Sequence, residues 1–544
     1  MTGAFAGASK GKLNLFDPAR TMATPGFNRW LVPPCALAIH LCIGMAYGFS
    51  VFWLPLARAI GINEPIACAG MTLANALTTT TCDWRVSDLV WTYSIFFVVL
   101  GAAASLWGGW LERVGPRRAG VVAACCWCGG MAIGAYGVAV HQLWLLWLGT
   151  GLIGGIGLGI GYISPVSTLI KWFPDRRGLA TGMAIMGFGG GAMVGSPLAD
   201  LMMRRFADDT QVGVWQTMLS LAAIYFVFMI TGAFGYRMPP AGWAPAGWTA
   251  PGIVGATRGI HVPLRDAHRT PQFWLVWLVL LLNVSASIGI IGVASPMLQE
   301  TFGGRLIGSD RAFMALDADA KAEAAAVGAG FVGLISLFNI GGRPLWSSAS
   351  DRLGRKSTFA IMTALGVLLY GFVAAVLTNG SIGLFVLGFC GLASMYGGGF
   401  ATVPAYLADL FGTRYVGAIH GRLLSAWSLA GIVGPFIVNT MRDTAIAAGT
   451  PRDLVYVPIF QTLAGLLVIA FVANLMIRPV DKRFCHYDET SGTAPGSPTI
   501  AAENATLVAS TGMTATLFLC WTAVLLPIVW GIVRTLQKGA VLLL

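Results

Sequence analysis

The chain has 544 residues, 56% of them hydrophobic and only 10% charged, with a formal net charge of +11 and a mean hydropathy of +0.73. No water-soluble fold hides that much apolar surface, and the apolar residues come in blocks of about 20, the length that crosses a bilayer. A soluble protein is excluded, and an all-α integral membrane protein is expected.

Residues 1–28, with Lys10, Lys12 and Arg20, hold no apolar run and read as a cytoplasmic tail without a cleavable signal. Twelve spans are expected at about 31–57, 89–109, 119–139, 142–167, 179–202, 213–235, 272–297, 326–349, 358–378, 381–406, 417–440 and 454–477. A polar stretch from Arg478 to about Leu507 leads to a thirteenth apolar block at about 510–533, read as an extra C-terminal helix. Lys and Arg favour the N-terminal side of the membrane by about two to one, so the net charge reports topology. The expectation is a multi-pass plasma-membrane protein with a cytoplasmic N-terminus. Spread over many short loops, this charge is no nucleic-acid footprint.

Two loops match at a fixed offset. Glu112-Arg113-Val114-Gly115, after the second span, returns after the eighth as Asp351-Arg352-Leu353-Gly354, where 112 plus 239 is 351. The same offset carries Pro165 to Pro404, Gly178 to Gly417 and Gly195 to Gly434. Landmarks that stay in step without a gap point to a duplicated six-span unit. The expected divisions are a half at 29–236, a cytoplasmic linker at 237–271, a second half at 272–478, and a tail with the extra helix at 479–544. Copies in one orientation are related by an axis along the membrane normal, and transporters so built bind substrate between the halves and rock one against the other. The loop acids lie at helix ends, where they pair with a basic group or a helix N-terminus in only one conformation. Glu112, Arg113, Gly115, Asp351, Arg352 and Gly354 are therefore the candidate conformational switch.

Charge at bilayer depth is costly and marks function. Arg343 lies eight residues before Asp351, about 12 Å from that end of its span, and no Asp or Glu lies well inside any span. A buried guanidinium without a carboxylate partner calls for an anion, and its planar fork suits a carboxylate. Arg422 is nearer the inner surface and is expected to reach out to it. It is a possible secondary charge, together with His40 and His420, the titrating candidates within the spans. With no carboxylate to carry a proton, exchange of one anion for another is favoured. Tyr47, Trp53, Tyr162, Tyr396 and Trp427 are aromatic candidates for a cavity wall. The glycines at 187, 189–191 and 397–399 permit close helix approach. Cys125, Cys126 and Cys128 read as packing residues rather than metal ligands, and Cys68 and Cys82 pair if their side is oxidising. No cofactor, metal set or nucleophile–base pair emerges, so no enzyme activity is expected.

The matched loops resemble the signature loop of the major facilitator superfamily. Gly161-Tyr162-Ile163-Ser164-Pro165, followed by Lys171-Trp172-Phe173-Pro174-Asp175-Arg176-Arg177-Gly178, resembles the oxalate:formate antiporter family within it. So do Pro240-Ala241-Gly242-Trp243-Ala244-Pro245, Thr270-Pro271-Gln272-Phe273-Trp274, and Ala426-Trp427 near Gly434-Pro435. The resemblance covers residues 29–478 and implies the 6+6 major facilitator fold and transport of small mono- or dicarboxylates. It implies substrate binding by Arg343 and Asn339, and by Tyr47, Tyr162 and Trp427 at motif positions. The family's oxalate exchangers carry a lysine where Trp427 stands, so the second charge for a dicarboxylate is missing, and a monocarboxylate or a bulkier acid fits as well. Gly182, Gly191, Gly195 and Pro197 resemble the superfamily's antiporter motif, with Ser196 splitting its Gly-Pro pair. The expected function is secondary transport of small organic anions by alternating access, through exchange. Proton-coupled monocarboxylate symport and, more remotely, a transporter-like carboxylate sensor are the alternatives. The expected partners are a small carboxylate and the lipid bilayer, with no obligate protein partner.

Overall fold

The computed structural model describes residues 18–24, 26–62, 65–240, 243–245, 248, 260–487 and 514–539. Thirteen helices among these residues are long and apolar enough to cross a membrane. They are α1 Arg29–Leu56, α2 Val86–Val114, α3 Pro116–Ala139, α4 Leu143–Trp172, α5 Arg177–Phe206 and α6 Val214–Gly235. The second set is α7 Pro271–Ile291, α8 Ala318–Leu353, α9 Arg355–Asn379, α10 Ile382–Phe411, α11 Val416–Ala447 and α12 Tyr456–Met476, and α13 is Ala515–Gly539. Helices satisfy every backbone group internally, which is why apolar blocks of this length take that form. Three are irregular: α1 tightens to a 3₁₀ helix over Gly44–Phe52, α4 holds a π-helical stretch over Trp147–Ile153, and α11 is interrupted at Leu424.

The helices lie where the hydropathy blocks fall, with one correction at their ends. Glu112, Arg113, Asp351 and Arg352, expected in loops, form the last turns of α2 and α8. The turn itself is a single glycine, Gly115 or Gly354, each with φ of +83°. A Cβ would meet nothing within 4 Å at either position, so the left-handed backbone and not crowding calls for glycine. Pro116 and Arg355 start the next helices at once.

The two sets of six helices pack alike. Within them α3 lies on α6 as α9 lies on α12, and α1 on α5 as α7 on α11. Across the seam α2 meets α11, and its counterpart α8 meets α5. The thirteenth helix runs beside α1, α5 and α8, touching both sets. Trp521 Nε1 donates to the Trp30 carbonyl at 3.2 Å near its start, and Thr535 faces Gly333 near its end. It therefore runs from the end of the bundle that bears the repeated turns to the opposite end.

At the turn end, the strand β1 Ile260–His261 pairs antiparallel with β2 His486–Tyr487. Trp172 Nε1 donates to the Arg237 carbonyl at 2.6 Å, and its ring meets Trp243 edge-on at 4.8 Å. The expectations for residues 1–17, for part of the linker (241–242, 246–247, 249–259) and for 488–513, with the first residues of the thirteenth span, lie outside the described residues.

At the opposite end a disulfide joins Cys68 to Cys82. Beside it, the Asp83 carboxylate accepts from the backbone N–H groups of Ile60, Gly61 and Ile66 at 2.7–2.9 Å. His141 stacks on Trp84 at 3.9 Å, and burial holds its ring below the ordinary histidine range against the opposing pull of the Cys82 carbonyl. Also at this end, Glu300 on the short helix Ala294–Phe302 accepts from Arg442, from Arg452 at 3.0 Å and from Tyr456 at 2.6 Å. Burial raises the Glu300 carboxyl, but hydrogen bonds from Arg442 and Tyr456 and the two guanidinium charges outweigh it and hold the group below the ordinary range. On α3, Cys125 is exposed, Cys126 half-buried and Cys128 buried, so the three thiols point in different directions.

Candidate substrate site and gate

Glycines on α5 bring α8 close enough to plant a cation in the seam. A side chain at Gly182 would meet the Arg343 carbonyl and Pro344 Cα, both at 2.9 Å, and one at Gly189 would meet Arg343 Nε at 2.9 Å. Arg343 is 1% exposed. Its Nη1 donates to the Ile185 carbonyl of α5 at 2.7 Å, and Nε and Nη2 donate to Asn339 Oδ1 at 3.3 and 3.1 Å. Asn339 is anchored in turn by its Nδ2 on the Ala393 carbonyl at 3.4 Å. Among the described residues no carboxylate reaches ion-pair distance of Arg343. A full positive charge is thus buried against neutral oxygens alone, an arrangement that is expensive unless an anion joins it.

Aromatic rings fill the seam beside it. Trp427, wholly buried, meets Phe400 at 4.8 Å, Phe97, Tyr162 and Phe188 each at 5.6 Å, and Tyr47 at 6.3 Å. Phe188 and Trp427 are 239 positions apart, so these counterparts meet edge-to-face across the axis of the repeat. The Tyr47 and Tyr396 hydroxyls lie 3.4 Å apart and join the halves. Tyr162 Oη and Trp427 Nε1 are buried without a hydrogen-bond partner. A polar ligand seated here would find both donors free.

The structure therefore gathers Arg343, Asn339, Tyr47, Tyr162, Tyr396 and Trp427 at one level of the seam. It does not gather all the candidates. Trp53 packs on Phe49 at 5.3 Å, away from this cluster, and Arg422 is exposed, with Nε on the Ser105 carbonyl at 3.3 Å. His40 and His420 are both buried beside Tyr162, with ring centres 5.2 and 5.9 Å from it. Sequence reasoning missed Phe97, Phe400 and the Ile185 carbonyl as parts of the site. The offset carried a signal for Phe188, since it occupies the position equivalent to Trp427. A small cavity of about 20 Å³ against Phe49, Thr92 and Trp127 lies off to one side, with no charged group in its wall.

At the turn end the repeated acids cross the seam. The Gly178 and Leu179 N–H groups, opening α5, donate to Asp351 at 2.8 and 2.9 Å, and the Gly417 N–H, opening α11, donates to Glu112 at 3.0 Å. Gly178 and Gly417 are themselves 239 apart, so each acid caps the matching helix of the other set. A carboxylate on a helix N-terminus is favoured by both the free N–H groups and the helix dipole. Lys171 pairs with Glu112 at 2.9 Å and Arg355 with Asp351 at 2.6 Å, while Asp409 links Arg355 at 3.0 Å to Arg177 at 2.7 Å. Arg113 and Arg352 are exposed.

Residues 36–435 match the family model of the Major Facilitator Superfamily. The oxalate:formate antiporter of Oxalobacter formigenes is 24% identical over 466 residues, 84% of this chain and 94% of that protein. The apicoplast pyruvate carrier 1 of Toxoplasma gondii is 25% identical over 470 residues, 75% and 82% of the two chains. Among solved structures, that of the E. coli fucose:proton symporter superposes with a TM-score of 0.54 at 12% identity, covering 83% of this chain and 98% of that one. The superposition shows that the chain shares its overall fold with that structure. The chain belongs to the major facilitator superfamily, a family of membrane transporters and not of enzymes.

Proposed function

We propose that this protein is a secondary transporter of small organic anions, working by alternating access and exchanging one carboxylate for another. One observation carries the reading: Arg343 is buried at the seam with only neutral oxygens for company. A carboxylate that takes its fork in two-point contact displaces the Ile185 carbonyl, which belongs to the opposite half. Binding the anion thus loosens a bond between the halves at the level where they must part. Tyr162 Oη and Trp427 Nε1 offer donors to the same ligand. With Trp427 where the family's oxalate exchangers carry lysine, one positive charge meets the substrate and aromatic rings meet the rest of it, which suits a monocarboxylate or a bulkier acid. The likeness to an oxalate:formate antiporter and to a pyruvate carrier supports this substrate class.

The gate follows from the caps. Asp351 and Glu112 hold the turn end shut, and opening that end requires both to leave the helices they cap. We assign the turn end to the cytoplasm on the positive-inside bias, with the Cys68–Cys82 disulfide on the oxidising side. Counterflow in proteoliposomes with a panel of labelled carboxylates tests the proposal. Trans-stimulated uptake of at least one acid is expected, and no flux for any acid would sink it.

A further inference from the structure

His40 lies where α1, α4 and α5 meet, fully buried. Its Nδ1 is 2.5 Å from the Ala184 carbonyl oxygen and its Nε2 is 3.1 Å from the Tyr162 carbonyl oxygen. A carbonyl oxygen can only accept a hydrogen bond, whereas a neutral imidazole has one N–H and one lone pair. In either neutral tautomer a ring lone pair would point at a carbonyl lone pair. Only the imidazolium, with two N–H groups, satisfies both contacts. The next carbonyl along α5, that of Ile185, takes Arg343 from the other half. Neighbouring carbonyls of one helix thus hold two nitrogen bases, one from each side of the seam.

The charged and titratable groups that face His40 are Arg343 on α8, His420 on α11 and Tyr162 on α4. The α5 surface presents backbone and Phe188. Burial and the like charge of Arg343 stand against an imidazolium here, and the two carbonyls stand for it. A carboxylate seated on Arg343 cancels the like charge. The anion therefore decides the balance.

We propose that His40 binds a proton together with the anion, so that the carrier moves a carboxylate and a proton in the same direction. This rests on Arg343 being the anion site. The proton comes from water on the loading side and no covalent bond is made. It is held between the Ala184 and Tyr162 carbonyls while Tyr162 and Phe188 close the seam over it. When the anion leaves on the far side, the Arg343 charge is unscreened again and the proton returns to water there. By linkage, the proton tightens anion binding by the same factor as the anion tightens proton binding. Exchange of acid for acid is then the mode in which the proton makes both journeys, and net uptake is the mode in which one proton crosses with each anion.

The test uses the full-length protein in liposomes loaded with a pH dye, with labelled pyruvate, lactate and oxalate as probes. For an acid that shows counterflow, an inward gradient of one pH unit is expected to drive accumulation of a monocarboxylate about tenfold, with acidification of the lumen. In His40→Gln the gradient-driven accumulation should fall to within about twofold of the level without a gradient. His40→Asn serves as the second neutral variant. In the unsubstituted protein, ¹⁵N-histidine spectra at pH 7 should gain one imidazolium signal when the anion saturates. No counterflow of any probe would sink the transport reading itself. Net uptake into acid-free liposomes without acidification of the lumen, accumulation undiminished in both variants, or no new imidazolium signal would each overturn the role of His40 alone.

Discussion

Asp351→Asn should unlock the turn end. The Asp351 carboxylate accepts the Gly178 N–H at 2.8 Å and the Leu179 N–H at 2.9 Å across the seam, and its side chain is 16% exposed. Asparagine keeps one acceptor, turns an NH₂ toward the other N–H, and removes the charge from the helix N-terminus. Hydrogen bonds to a charged group contribute about 1.5–3 kcal/mol each, and the charge–dipole term adds about 0.5 kcal/mol. Allowing for the bond that survives, the closed turn end loses about 2 kcal/mol relative to the open one, or about 30-fold in the equilibrium. The pair with Arg355 is internal to one half and does not enter this difference. A thiol reporter at Ser347, which is fully buried against Gly178 and Gly182 of α5, reads the opening. In a background with the other reactive thiols replaced, Ser347→Cys should be alkylated about 30-fold faster when Asp351→Asn is added. Glu112→Gln should give a smaller rise, about tenfold, because among the described residues Glu112 takes one N–H across the seam, that of Gly417, where Asp351 takes two. Labelling rates within twofold of the reporter alone would refute the idea that these acids lock the halves.

Gly182→Ala presses a methyl into the Arg343 carbonyl and Pro344 Cα, so α5 and α8 must separate. Counterflow should drop at least about tenfold with folded protein retained, and an unaltered rate would show that the close approach is dispensable. Glu300→Gln removes the carboxylate that Arg442 and Arg452 share, leaving Arg442 with the exposed Asp443, and should cost about 2 kcal/mol, seen as a lower thermal midpoint in detergent. The Glu300 carboxyl is held below its ordinary value, so its stabilisation is present above that value and is lost as pH falls through the lower, folded-state one. The unsubstituted protein should therefore lose stability on acidification below about pH 4.5, and the glutamine variant should lack that component. Equal acid sensitivity in the two would contradict the assignment.

Much of the architecture was legible because a bilayer imposes length and composition on each span, and because a fixed offset survives in the chain. Glu112 and Asp351 were found as a matched pair, yet their partners were not, since a helix N-terminus offers backbone N–H groups that no side-chain pattern announces. The same blindness hid the carbonyls of Ala184, Ile185 and Tyr162. Arg343 stood out as a lone charge in an apolar block, whereas Phe97 and Phe400 were three among 29 phenylalanines with Phe188, and face is not readable in spans whose apolar residues run all round. The cluster at Glu300 joins residues 142 to 156 positions apart and leaves no local trace. Turn positions were misplaced for a simpler reason: polar residues ended the hydropathy blocks while the helices ran on.

Counterflow by Arg343→Ala and Arg343→Lys, measured beside the unsubstituted protein at matched folded amounts, tests the central claim most directly. The account predicts at least a 100-fold loss for alanine, since about 3 kcal/mol of charge-assisted contact to the anion disappears. Lysine should recover only a small part, because it keeps the charge and lacks the fork. Counterflow at the unsubstituted rate in Arg343→Ala would contradict the account.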